Sequence, residues 1–228
     1  MTDRTAFRLL PWLLAAAGIA SAATPGMKPY SADYDASYMG MHGTGHMSLS
    51  QQGGRWVYSL RIGSSLAQLS QSTVFDVAGS ALRPLSGTDA STFLVKRVTK
   101  QASYDWKAGQ ASWSGDVKPE RAGPIALQAG DVDAMLLNLA LPRDVAAGRS
   151  LHYRMVDDGR AKQVDCNAGG KEALQAGGKT LQATKVSCDL GGNKQILLWV
   201  VDGMPFPARI LQRKDGKDDI DLRLGKSA

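Results

Sequence analysis

The sequence predicts a mainly β protein, a curved antiparallel sheet or open β-barrel with one internal helix. Three observations lead there. About a dozen stretches alternate apolar with polar residues, the period of strands with one wet and one buried face. Glycine-containing turns such as Gln52-Gly53-Gly54, Asp157-Asp158-Gly159 and Asp215-Gly216 separate them. Beyond the N-terminal leader, only Asp131 to Leu141 reads as helix. So many strands in succession argue for a sheet that curls or closes, and the shortage of helices excludes a parallel α/β fold.

At the N-terminus, Arg4 and Arg8 precede an apolar run from Leu9 to Ile19, followed by Ala20-Ser21-Ala22. Basic start, short apolar run and small-x-small end make a secretory signal peptide, cleaved after Ala22. Residues 23–228 are then a single β-rich domain in the periplasm. The run of 11 residues falls short of the roughly 20 needed to cross a bilayer, so no transmembrane span is expected. Loss of the leader lowers the formal charge from +6 to +5. The mature chain stays basic, but its Lys and Arg are scattered, and an exported protein is a poor nucleic-acid binder.

Tyr30 to Ser50 reads as an opening hairpin around Gly40, Gly43 and Gly45. Arg55 to Ile62 follows with Trp56, Tyr58, Leu60 and Ile62 on one face. Leu66 to Val77 and Phe93 to Trp106 continue as strands, and Pro84 between them predicts an edge or a connection. Ser114 to Gly130 is polar and punctuated by Pro119 and Pro124, the pattern of a mobile loop. In the helix, Asp131 is placed to cap the start and Pro142 to end it. Val132, Met135, Leu136 and Leu139 form one apolar face, Leu137, Ala140 and Leu141 a second. The first is expected to anchor the helix on the sheet, the second to close a cavity or meet a partner. Strands at Leu151 to Val156 and Lys162 to Asn167 flank Asp157-Asp158-Gly159. Ile196 to Val201 is apolar on both faces, as a central strand is. The chain ends as a hairpin turning at Asp215-Gly216.

Cys166 and Cys188 are the only cysteines. A hairpin turning at Ala176-Gly177-Gly178 sets them opposite one another, and an oxidising compartment favours a disulfide. His42 and His46 lie about 13 Å apart on a continuous strand, too far to share an ion, and His152 or a carboxylate is the available third ligand. No metal or cofactor is expected. The elbow GxSxG is absent, and no spacing singles out a carboxylate pair for glycoside hydrolysis. No catalytic residue is assigned.

The chain resembles the bacterial exported family called domain of unknown function 3108. The resemblance rests on Tyr34, the Gly-rich turn and Met47-Ser48-Leu49, then Gly130-Asp131-Val132-Asp133, Gly148, Trp199-Val200-Val201-Asp202 and Pro207-Ala208-Arg209-Ile210. It implies a β-rich periplasmic protein without assigned activity, and the cysteine pair lies outside the pattern. The expected function is noncatalytic binding of an apolar or amphiphilic envelope component, such as a lipid, in the concave face of the sheet. Leu137, Leu141, Met135, Trp56, Tyr58 and Trp199 are the candidate cavity residues. The alternatives are a protein–protein interaction module of the envelope and, third, a hydrolase.

Overall fold

The computed structural model describes residues 27–38 and 40–226, so the expected leader and cleavage site lie outside the described residues. The first half of the chain forms β1 (Tyr30–Tyr38), β2 (Met41–Gln52), β3 (Arg55–Gly63), β4 (Ala67–Ala78), β5 (Ala81–Phe93), β6 (Lys96–Asp105) and β7 (Gln110–Gly115). A 3-10 turn at Pro119–Arg121 and a short β8 (Ile125–Ala126) lead to helix α1 (Ala134–Ala146). The second half forms β9 (His152–Asp157), β10 (Arg160–Ala176), β11 (Lys179–Gly191), β12 (Lys194–Val200), β13 (Arg209–Lys214) and β14 (Lys217–Leu224). All 14 strands belong to one antiparallel sheet in the order β8-β7-β6-β5-β4-β3-β2-β1-β14-β13-β12-β11-β10-β9. Accumulated strand twist curls a sheet this wide until its end strands approach each other.

The seam between those ends is closed without a complete ladder. Val132 lies parallel to β9, its N–H donating to Arg154 O (3.2 Å) while Val156 N–H donates to Val132 O (2.8 Å). From β6, the Tyr104 hydroxyl donates to Val156 O (3.0 Å), and Lys100 and Arg121 both reach the Asp158 carboxylate. An exposed edge such as β9 invites pairing with another chain, and these contacts cover it. The segment Ser114 to Gly130, which reads as a mobile loop, is therefore part of the closure: β8 pairs with β7, and Arg121 also donates to Asp158 O.

Pro84 belongs to an internal strand, contrary to its expected place at an edge. Its missing N–H is tolerated because β5 bulges between Ser86 and Pro84, and pairing with β6 begins only at Ser86. Its carbonyl accepts the Trp106 indole N–H at 2.6 Å.

Alternation turns Tyr34, Met47, Leu49, Tyr58, Leu60 and Phe75 inward, facing Leu198, Ile210 and Leu222 from the second half. Helix α1 lies inside this ring. Asp133, not Asp131, caps it, accepting Leu136 N–H at 2.7 Å. Asp131 instead pairs with Arg154 and accepts from Gln128 N–H. Nor does Pro142 end the helix, which runs on to Ala146. One proline removes a single hydrogen bond, and a helix enclosed by core holds together through packing. The two-faced apolar pattern has the same cause. Leu137 and Leu141 are 2% and 0% exposed, so the second face is core rather than a cavity wall.

Strand β12 is buried on both faces. Outside the barrel, Leu197 and Trp199 are covered by the projecting end of the β10–β11 hairpin through Leu174, Ala176 and Ala183. Gly177 N–H donates to Leu224 O (2.8 Å), Glu172 accepts the Trp199 indole N–H (2.6 Å), and Arg209 stacks 4.5 Å from that ring. The turn is two residues, with Ala176 opposite Lys179, so an unbroken ladder would set Cys166 against Asp189. Gly169 and Gly170 bulge opposite Lys185 and slip the register by one. Cys166 then faces Cys188, and the two are joined across 4.1 Å between Cα atoms.

Two stability outcomes are expected. Leu137→Ala should cost about 2 to 5 kcal/mol in urea unfolding, the range of a buried leucine, whereas a cavity-wall leucine would cost little. Replacing Cys166 and Cys188 by Ser should cost roughly 3 kcal/mol on the chain-entropy model. Two free thiols in a nonreducing titration of denatured protein would contradict the disulfide.

Candidate functional site

The inner row of β4 reads Leu69, Gln71, Thr73, Phe75, with polar residues between apolar ones. The same interruption recurs beside it in β5, where Gly87, Asp89 and Ser91 face inward, and in β6 at Lys100. Helix α1 begins opposite this patch. Between them lies a pocket of 240 Å³ lined by Gln71, Thr73, Asp89, Lys100, Tyr104, Asp133, Met135 and Asp157 among others.

The pocket's buried anchor is Asp133. One carboxylate oxygen caps α1 through Leu136 N–H, and the other accepts the Thr73 hydroxyl at 2.6 Å. Burial pushes its pKa up to about 6, against the lowering effect of these hydrogen bonds. Asp157 is raised further, to about 7, first by burial and then by the charge of Asp133. Two carboxyls whose pKa values are raised to about 6 and about 7, with Lys100 on the same wall, make this a polar, titratable end of the concave face.

Along the same strands toward the rim, the inner row becomes apolar. A groove of 720 Å³ is lined there by Ala36, Tyr38, Met41, Ile62, Leu69, Phe93 and Ile220, with Ser91 at its inner side. No residue of α1 contributes to it. The helix runs the other way, its Pro142, Arg143 and Ala146 reaching the opposite end beside Tyr30, Leu82 and Val200. The groove is thus concave sheet left bare by the helix. Gly43, opposite Ala36, lines it as well, and a Cβ there would collide with Gly63 O.

The candidate cavity residues are dispersed. Met135 borders the polar pocket, while Trp56, Tyr58, Leu137 and Leu141 pack into the interior core. Trp199 belongs to the separate cluster outside the barrel. His42 and His46 both project from β2; His46 Nδ1 meets Asp33 Oδ1 at 2.6 Å, and His152 Nδ1 meets Asp165 Oδ1 at 2.7 Å. Among the described residues no group of three or more His, Cys, Asp or Glu is arranged to hold a metal ion. Of the acids after Asp215, Asp218 pairs with Arg213 and Asp221 with Arg209 and Arg223. Sequence reasoning missed Gln71, Thr73, Asp89, Lys100 and Asp157. The available signal was polar residues at inward positions of otherwise apolar strands.

The family described as a protein of unknown function, DUF3108, matches residues 30–223. The chain belongs to the DUF3108 family. No curated protein and no solved structure matches it. Within the DUF3108 match, segments far apart in the chain support one another. The Tyr34 hydroxyl donates to Pro207 O (2.9 Å), and Asp131 and Asp133 set the seam and the helix start. Trp199 and Arg209 stack outside the barrel. These contacts are structural, and neither the groove nor the polar pocket is built mainly from them.

The raised carboxyls predict a pH dependence. Each binds its proton more tightly in the folded chain than in the unfolded one, so between about pH 4 and pH 7 the folded state holds more protons. Their contribution favours folding at the acidic end and is lost as pH rises. Asp133→Asn, which keeps the cap, and Asp157→Asn should each flatten that decline in urea midpoints relative to the parent. Parallel parent and variant curves would mean that the carboxyls are ionised throughout.

Proposed function

We propose that the protein is a noncatalytic binder, exported to the periplasm, that takes up an apolar or amphiphilic envelope component in the concave face of its sheet. The groove carries this reading. It is large enough for part of an acyl chain, apolar along Ile62, Leu69, Phe93 and Ile220, and open at the rim. One inner-row step along β4 leads from Leu69 to Gln71, and one along β5 from Ser91 to Asp89, where the polar pocket begins. An amphiphile can therefore lay its chain in the groove and direct its polar end toward Gln71, Asp89 and Lys100. The Cys166–Cys188 bond supports export, because disulfides persist in oxidising compartments.

A hydrolase is the second reading, favoured by Asp157, a carboxyl whose pKa is raised to about 7 in a pocket. Two-carboxylate chemistry needs a second free acid; both oxygens of Asp133 are engaged by Thr73 and Leu136, while Asp89 accepts from Gln71 and sits opposite Lys100 on the β5–β6 ladder. Binding therefore accounts for more of the concave face than catalysis does.

The test is uptake of an acyl-chain fluorophore. Leu69 is half-buried at the groove wall, so Leu69→Asp should abolish uptake while preserving the circular dichroism spectrum. Leu136→Asp, in a wholly buried position, should unfold the chain. A parent protein that binds no such probe would overturn the reading.

A further inference from the structure

The hairpin turn between β5 and β6 departs from the chemistry of the four hairpin turns in the second half of the sheet. Asp158-Gly159, Gly177-Gly178, Gly192-Asn193 and Asp215-Gly216 place glycine, asparagine or aspartate where φ is positive. Between β5 and β6, Leu94 takes that position, at φ 53°, with Val95 beside it. Nothing in the fold rewards the choice. Phe93, Leu94 and Val95 are 51%, 61% and 99% exposed, when a glycine or asparagine turn would close the same hairpin.

The tip is part of a larger apolar rim. Leu94 N–H donates to Leu66 O (3.0 Å), which joins the tip to the β3–β4 turn, where Leu66 is itself exposed. Exposed Tyr38 ends β1 on the same rim. Strand order makes these three turns neighbours, whereas the turns completing the rim at Asp158-Gly159, Gly192-Asn193 and Asp215-Gly216 are polar. Apolarity is thus confined to one sector, and that sector holds the mouth of the groove, lined by Tyr38 and Phe93. Immediately behind the tip come Lys96 and Arg97, both exposed and, among the described residues, in no ion pair.

Apolar side chains at a projecting tip, with cations one step behind them, complement an anionic lipid surface: the apolar groups enter the acyl boundary and the cations meet phosphates. We propose that this rim docks on an anionic bilayer, with Phe93, Leu94, Val95 and Leu66 inserted and Lys96 and Arg97 on the headgroups. This deepens the binding reading and rests on it for its purpose: docking presents the groove's mouth to the leaflet from which an amphiphile would enter.

Flotation with vesicles of phosphatidylglycerol and phosphatidylethanolamine tests the docking, with phosphatidylcholine vesicles as the neutral comparison. The parent should float with the anionic vesicles, less so at high salt. In otherwise identical protein, Leu94→Asp with Val95→Asp should weaken flotation by about tenfold or more, since charge replaces inserted apolar area. Lys96→Glu with Arg97→Glu should remove the preference for anionic over neutral vesicles. Superimposable thermal melts establish that each variant is folded. Equal parent binding to both vesicle types, or unchanged flotation of the Leu94/Val95 variant, would overturn the proposal. So would a parent that floats with neither but forms a dimer lost on Val95→Asp, because the tip would then be a protein contact. Leu69→Asp separates the two readings: it should stop fluorophore uptake and leave flotation intact. Uptake without flotation overturns the docking alone, and flotation without uptake overturns the groove alone.

Discussion

A helix that is apolar all round and a sheet that curls around it can each be stable only because of the other. A 14-stranded barrel encloses more space than its own inward side chains fill. Helix α1 fills part of it with Met135, Leu136, Leu137, Leu139 and Leu141, none of which retains more than a trace of exposed surface. In water this segment would expose two apolar faces, and without it the ring of Tyr34, Met47, Tyr58 and Phe75 would surround a void. Tight packing of such an interior makes removal of even a few methylenes costly.

Polar groups decide how the helix sits. Asp133 caps it and also accepts the Thr73 hydroxyl from the barrel wall, which ties the helix start to β4. Asp131, two residues earlier, pairs with Arg154 of β9, while Val132 between them bridges the same strand. At the far end, Asp144 accepts the Tyr153 hydroxyl and pairs with Arg149. The helix is thus fixed at both ends, and its start also helps to close the seam. A buried carboxylate is costly to desolvate, and these sites offset the cost with hydrogen bonds aimed at each charge.

Because the helix fills one end of the barrel, the other end keeps bare concave sheet. The apolar groove, the polar pocket at the helix start and the apolar rim are consecutive regions along the same few strands, β1 to β6. That continuity gives the molecule a direction: an acyl-like stretch opens toward the apolar tips, and hydrogen-bonding and ionisable groups lie inward. The projecting β10–β11 hairpin lies on the second half of the sheet and contributes to the stability of β12 and β13 without approaching the groove.

The sequence by itself determined the mainly β class, the existence of one internal helix, the glycine turns and the cysteine pairing, because these depend on local periodicity and turn chemistry. Its pairing argument relied on symmetry about Gly177, whereas the actual register comes from a two-residue turn and a bulge at Gly169-Gly170. Only the tertiary structure decided which aspartate caps the helix, that Pro142 lies within it, and that Leu137 and Leu141 are core. It also decided that Pro84 sits in an internal strand and that Gln71, Thr73, Asp89, Lys100 and Asp157 converge. The physical reason is the same in each case. An amphipathic pattern states which side chains seek cover but not what covers them, and a pocket formed by residues many positions apart has no local signature. The exposed Phe93-Leu94-Val95 tip was legible as residues but read as a continuous strand, since a leucine at positive φ is a choice that only the folded backbone displays.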